Sequence, residues 1–310
     1  MPWRDPTGRF SPFKLAVFIL LFVPASLIAF RYANGGLGPL AINEAVHQSG
    51  NWTLRLILIS LAVTPARQLL RWPRVMQARR MVGVAAFIYA AIHLTLYAAD
   101  QAFDLQKVAT EILVRIYLTI GFAALLILAA LAATSTNGMA RRLGAARWRR
   151  LHRLVYAAAL LGVVHFFMQT KFNVDEPWVM AGLFAWLMAF RALAWAGGGR
   201  WTAWRLAMLA VMAALGTAVS ESIYYWIKVG APPARVLSAN FMFNLPNIRP
   251  VWIVLSICMA AALLGVVRHP AAGSLWARLG VAARPPVPVR IPARKPPARL
   301  AKHRRREELR

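Results

Sequence analysis

Apolar runs long enough to cross a bilayer recur along the whole chain. They fall at about 13–30, 52–66, 81–99, 112–133, 151–168, 178–196, 202–220 and 250–267. This pattern predicts an all-α integral membrane protein, a helical bundle of about eight transmembrane spans. Pro24 predicts a kink in the first span. The connection 31–51 carries turn chemistry at Asn34-Gly35-Gly36 and Gly38-Pro39. In the short second span, Arg55 is expected to snorkel to the surface. Gly197-Gly198-Gly199 ends the sixth span, and a longer polar connection, 221–249, precedes the eighth.

Composition agrees: 59% of the 310 residues are hydrophobic, and the mean hydropathy is +0.52. The net charge of +27 would fit a nucleic-acid binder, but its distribution excludes that partner. The arginines sit in short clusters between apolar runs, the arrangement that positive-inside topology requires. Loops 67–80, 134–150 and 197–205 are basic, as are residues 1–12 and 268–310, whereas the intervening connections are neutral or acidic. The alternation predicts cytoplasmic N- and C-termini. Six prolines between 285 and 297 mark residues 268–310 as a basic, disordered arm resting on anionic membrane lipid. The one cysteine, Cys258, excludes an intrachain disulfide and reads as a small core residue. The first span lacks a cleavage site and reads as an anchor.

The chemistry concentrates in residues 141–168, where an arginine cluster runs into an apolar helix with His152 and His165 near its ends. Ionisable groups inside a span are functional candidates, and His93 in the third span is the natural partner. His93 lies about twelve residues into span three and His165 about fourteen into span five. The two spans run in the same direction, so at about 1.5 Å per residue both imidazoles reach one level near the outer face. Two such rings can clamp a planar macrocycle, and the expected ligand is a heme whose iron is held by His93 and His165. His152 lies roughly 20 Å of helix rise below His165, near the cytoplasmic surface, and cannot bind the same face of the same iron. Gly162, one turn before His165, lets a flat ring approach. Tyr89, His93 and Tyr97 form a polar stripe that needs an interior position. Arg79, Arg80, Arg147 and Arg150 are candidates for pairing with a heme propionate or a flavin phosphate, although topology alone accounts for most of the basic residues. His47, His269 and His303 fall in loops or the tail and are read as structural.

At these residues the sequence resembles the heme-binding membrane subunits of bacterial periplasmic methionine sulfoxide reductase systems, within the ferric-reductase-like transmembrane superfamily. The resemblance runs from about Asn34-Gly35-Gly36-Leu37-Gly38 to about Ala194. It includes Val63-Thr64-Pro65, Arg79-Arg80-Met81-Val82-Gly83, Ile92-His93-Leu94-Thr95, Tyr117-Leu118-Thr119 and Thr134-Ser135-Thr136. Its strongest piece is Arg142-Leu143-Gly144-Ala145 leading into Trp148-Arg149-Arg150-Leu151-His152-Arg153-Leu154-Val155-Tyr156, followed by His165 and Lys171. The resemblance implies heme b on His93, His152 and His165, and an FMN. It implies electron delivery through the bacterial inner membrane to a periplasmic molybdopterin-dependent reductase that repairs oxidised methionines. About fourteen positions before His93 stand Arg79 and Arg80 rather than another histidine, so one heme is the expected count.

The expected organisation is a cytoplasmic segment 1–12, a ferric-reductase-like heme-binding domain 13–196, two additional spans in 197–267 and the tail 268–310. Gly197-Gly198-Gly199 lacks the strand–turn–helix setting of a dinucleotide fingerprint. Electrons are therefore expected from a separate cytoplasmic flavin reductase or from the quinone pool, which makes the chain an electron-transfer subunit rather than a stand-alone enzyme. A heme-dependent ferric or other metal reductase is the alternative within redox chemistry. A non-redox transporter or scaffold with structural histidines is the alternative outside it.

Overall fold

The computed structural model describes residues 3–4, 8–170, 174–196 and 201–268. Among them the first apolar run forms α1 (Pro12–Leu20) and α2 (Val23–Ala33), followed by α3 (Ala41–Leu70) and α4 (Met76–Asp100). A short helix, α5 (Leu105–Val114), precedes α6 (Ile116–Ala133). Then come α7 (Asn137–His152), α8 (Val155–Gln169) and α9 (Asp175–Ala196). The last three helices are α10 (Ala203–Val229), α11 (Pro233–Phe241) and α12 (Pro250–Arg268).

Seven helical segments among the described residues are long and apolar enough to cross a membrane, and a shorter apolar helix covers Pro250–Gly265. α6 shows why lipid must surround them. All but two of its residues, Tyr117 and Thr119, are aliphatic, phenylalanine or glycine, yet only Ala124, Leu128 and Leu131 are buried. An apolar surface on every side of a helix is stable only against hydrocarbon. The chain is a multi-pass, all-α membrane protein.

The structure departs from the hydropathy pattern at element ends. α3 begins at Ala41, a full three turns before the expected second span, because Ala45, Val46 and Ser49 are buried there. The basic segment 134–150 is mostly helix rather than loop: Thr136 caps α7 by accepting from the Met139 amide. Gly144, at φ 72°, breaks that helix in the middle. α10 continues to Val229 and ends on Gly230 in the left-handed conformation. The expected disordered tail, with His269 and His303, lies outside the described residues, as does the Gly197-Gly198-Gly199 break.

Proline leaves backbone groups unpaired, and here other helices supply the missing partners. The turn between α1 and α2 precedes Pro24, as expected. There the Tyr89 hydroxyl inserts between Ala25 and Leu21, accepting from the Ala25 amide at 2.9 Å and donating to the Leu21 carbonyl at 2.8 Å. It replaces the helical bond those two residues would have made. In α3, Pro65 has no N–H for the Leu61 carbonyl, and the Arg191 guanidinium of α9 donates to that carbonyl instead. Arg191 also donates to its own helix at Leu187, 2.8 Å, and lies 5.5 Å from the Tyr156 ring centre.

The C-terminal helices pack directly on this core. A Cβ on Gly182 of α9 would overlap Thr217 of α10 and come within 2.8 Å of Val254 of α12, so the three helices meet at minimal separation. Cys258 is fully buried in the same core. Arg191→Leu should destabilise the detergent-purified protein by about 1–3 kcal/mol, the cost of an unsatisfied buried group. The loss should shrink in a Pro65→Ala background, where the Leu61 carbonyl regains a helical donor; thermal unfolding of the four proteins of this cycle measures it.

Candidate functional site

Four helices, joined by Ile112 of α5, each turn one face toward a shared cavity. α4 contributes Ala90, His93, Leu94 and Tyr97, and α8 contributes Ala158, Gly162, His165, Phe166 and Gln169. Both sets follow the three-and-four spacing of a single helix face. α3 presents His47, Gly50, Asn51 and Leu54, and α6 presents Leu118, Gly121, Leu125 and Leu128. Most of the wall is apolar.

His93 and His165 face each other across this space, with ring centres 6.3 Å apart and planes crossed at 84°. Each ring is held in the same way. His93 Nδ1 lies 2.8 Å from the Val46 carbonyl of α3, and His165 Nδ1 lies 2.8 Å from the Tyr117 carbonyl of α6. A carbonyl only accepts, so Nδ1 carries the hydrogen and Nε2 keeps its lone pair for a metal. Each carbonyl sits one helical turn before a glycine that makes room for the ring. A Cβ on Gly50 would fall 3.0 Å from His93 Cε1 and Nδ1. A Cβ on Gly121 would fall 2.8 Å from the same atoms of His165. Alanine at either place would push the imidazole off its carbonyl.

The spacing of the rings has a chemical meaning. Two metal–imidazole bonds of about 2 Å each, with about 1 Å from each nitrogen to its ring centre, separate two ring centres by about 6 Å across a shared metal. Among the described residues no group of three or more His, Cys, Asp or Glu gathers to hold an ion. The pair supplies two donors, so a metal shared by the two rings would take its other ligands from elsewhere.

Polar contacts at this end of the bundle brace the anchors. Tyr97 donates to Glu111 of α5, Arg115 bonds Glu111 at 3.1 Å and the Tyr117 hydroxyl at 3.2 Å, and the start of α6 is fixed where its carbonyl meets His165. Glu176, at the start of α9, accepts from Asn51 at 3.0 Å and pairs with Arg55. Arg55, expected to snorkel, is thus tied down, with its guanidinium 4.9 Å from the Trp52 ring centre.

The other sequence candidates lie elsewhere. His152 does not line the cavity; it stacks on Trp148 with ring centres 3.8 Å apart, and its Nε2 is 3.2 Å from the Thr134 hydroxyl. Arg79 and Arg80 on α4 act electrostatically on His152, and Arg80 bonds Asn137. Arg147 and Arg150 are exposed on α7. None of the four arginines lines the cavity. Gly162 does, facing Leu54, whereas Tyr89 serves the α1–α2 turn. Sequence reasoning passed over Gly50, Gly121 and His47. His47 is on α3, not in a loop, and lines the cavity. The available signal was the isolated glycine in a helical run, which marks close approach.

Residues 49–163 match the model of the ferric reductase like transmembrane component. The protein-methionine-sulfoxide reductase heme-binding subunit MsrQ of Rhodospirillum rubrum is 44% identical over 189 residues, covering 61% of this chain and 88% of that protein. The subunit of the same name from Caulobacter vibrioides is 40% identical over 201 residues, 62% of this chain and 95% of its own length. That from Herminiimonas arsenicoxydans is 37% identical over 199 residues, 63% and 91% of the two chains. No solved structure matches. A matched core that spans nearly the whole of these relatives, on a transmembrane bundle with a facing histidine pair, shows that the chain belongs to the MsrQ family of ferric-reductase-like membrane subunits.

Proposed function

We propose that the protein is the electron-transfer subunit of a two-component reductase. It binds heme b and delivers electrons across the bacterial inner membrane to a periplasmic molybdopterin-dependent methionine sulfoxide reductase. The observation that carries this reading is the pair of imidazoles with free Nε2 lone pairs, 6.3 Å apart in an apolar cavity. The relatives' name as heme-binding subunits supports it.

The residues present fit a heme: two imidazole nitrogens free to bind a metal, glycines that admit the rings, and aliphatic walls formed by Leu54, Ile57, Leu125, Leu128 and Ala158. Bound there, heme supplies reversible one-electron chemistry at its iron. His93 and His165 would hold the iron, the Val46 and Tyr117 carbonyls fix the tautomer that leaves both Nε2 atoms as donors, and the apolar wall would seat the macrocycle. The two termini and the arginine-rich end, with Arg79, Arg80, Arg147, Arg150 and His152, face the cytoplasm in this reading. Arg80, Arg147 and Arg150 are exposed forks suited to a flavin phosphate, whether of a bound FMN or of a cytoplasmic flavin reductase that delivers electrons; the quinone pool is the other donor. Asp100, Asp104, Glu111, Asp175 and Glu176 lie at the periplasmic end, where charge can steer the reductase.

The match to a ferric reductase like component favours one second reading, a heme-dependent metal reductase. Supplying the reduced protein with either the periplasmic reductase or a ferric chelate, and following reoxidation, separates the two.

His93→Ala and His165→Ala should each abolish the low-spin heme spectrum of the detergent-purified protein, while His152→Ala should retain it with slower reduction. A low-spin spectrum unchanged in His165→Ala would contradict the ligand assignment. Gly121→Val should weaken heme retention by about 10–100-fold, the range for disturbing the hydrogen-bonded support of a metal ligand. Heme per protein after dialysis reads this directly.

A further inference from the structure

The polar residues of the cavity lie toward one end. By their places along α3, α4, α6 and α8, Ile57, Ala90, Leu125, Leu128 and Ala158 lie toward the arginine-rich end, whereas His47, Asn51, Tyr97 and Gln169 lie toward the other. A heme carries two carboxylates on one edge, and carboxylates are not buried among aliphatic side chains without donors. A heme bound here would turn that edge toward the polar rim.

Most of the polar groups lining the cavity are already committed. Asn51 donates to Glu176, Thr53 to the Ser49 carbonyl and Tyr97 to Glu111, and the Nδ1 hydrogens of His93 and His165 are held by backbone carbonyls. His47 and Gln169 make no hydrogen bond or ion pair with any described residue. Both are half-buried, and their positions follow from the clamp. His47 stands three residues before Gly50, the cradle of His93, and Gln169 stands four residues after His165. Each is one turn from an anchor, on the cavity face of its helix.

We infer that His47 and Gln169 form a carboxylate-binding subsite, donating to the two propionates of the heme at the periplasmic mouth of the cavity. The inference rests on the heme reading above and adds the direction in which the macrocycle is seated. It also separates the heme carboxylates from Arg79, Arg80, Arg147 and Arg150, leaving those arginines to the cytoplasmic donor. Through the propionates, His47 and Gln169 set how firmly the heme is kept and bias its reduction potential.

The test uses the intact holoprotein in detergent and follows heme transfer to apomyoglobin, together with optical redox titration. His47→Ala and Gln169→Ala should keep the low-spin spectrum, lose heme about tenfold faster, as for removal of a hydrogen bond to a charged group, and show a lower midpoint potential. His47→Gln, which restores a donor, should recover slow loss. Arg147→Ala and Arg150→Ala should leave heme loss and potential unchanged. Exchanging in heme with methylated carboxylates should erase the difference between wild type and His47→Ala, which a merely structural role would not do. Unchanged heme loss and potential in both alanine variants would overturn the subsite. A disappearance of the low-spin spectrum in His47→Ala would overturn it too, by making His47 an iron ligand. Loss of the spectrum in His93→Ala and His165→Ala alongside silent His47 and Gln169 variants would sink the subsite alone and leave the clamp standing.

Discussion

An imidazole lying over a glycine, with its Nδ1 hydrogen on the carbonyl one turn earlier, is the contact on which the rest of this structure depends. It occurs twice. His93 of α4 rests on Gly50 and Val46 of α3, and His165 of α8 rests on Gly121 and Tyr117 of α6. Each contact decides three things at once: how close the two helices come, which tautomer the ring adopts, and which nitrogen is left for a metal. Because the pairs face each other, helix packing and ligand geometry are the same problem. Bracing contacts at that end of the bundle, Tyr97 and Arg115 on Glu111 and Asn51 and Arg55 on Glu176, hold the two carbonyl-bearing helices in register.

The same demand for paired backbone governs the bundle away from the cavity. A bilayer offers no water to an orphan carbonyl, and the backbone groups left open at the α1–α2 turn and at Pro65 are each paired by a side chain from another helix. Tyr89 and Arg191 thereby join α1–α2 to α4 and α3 to α9. Arg191 is an intramembrane charge with a structural duty, since its guanidinium spans Leu61 and Leu187 while resting on Tyr156. The MsrQ-family core is thus fastened by polar contacts to open backbone groups, and α10 and α12 dock on it through the bare surface of Gly182.

Much of this was legible from residue order. The apolar runs located the membrane helices, and the equal depths of His93 and His165 on parallel spans forecast that the rings could meet. Hydropathy failed where burial rather than apolarity makes a helix. Residues 41–51 look like a polar loop, yet Ala45, Val46 and Ser49 are buried and the segment is α-helical; His47 was consequently set aside. Residues 137–152 look like a basic loop but form α7, since arginine is a good helix former at an interface. The glycine cradles were unreadable for a different reason. A glycine inside an apolar run does not say which neighbour approaches it, and only the pairing of α3 with α4 and α6 with α8 discloses that both face histidines. Cys258 behaved as composition implied, a small residue fully buried in the core.

The most direct measurement is low-temperature electron paramagnetic resonance of the oxidised protein in its membranes. Imidazole planes crossed at 84° leave the two iron orbitals that each ring touches nearly equal in energy, so orbital angular momentum is not quenched. A bis-imidazole heme on His93 and His165 should therefore give a strongly anisotropic low-spin ferric signal, lost when either histidine is replaced. A high-spin signal alone, or a low-spin signal that survives both replacements, would contradict the clamp.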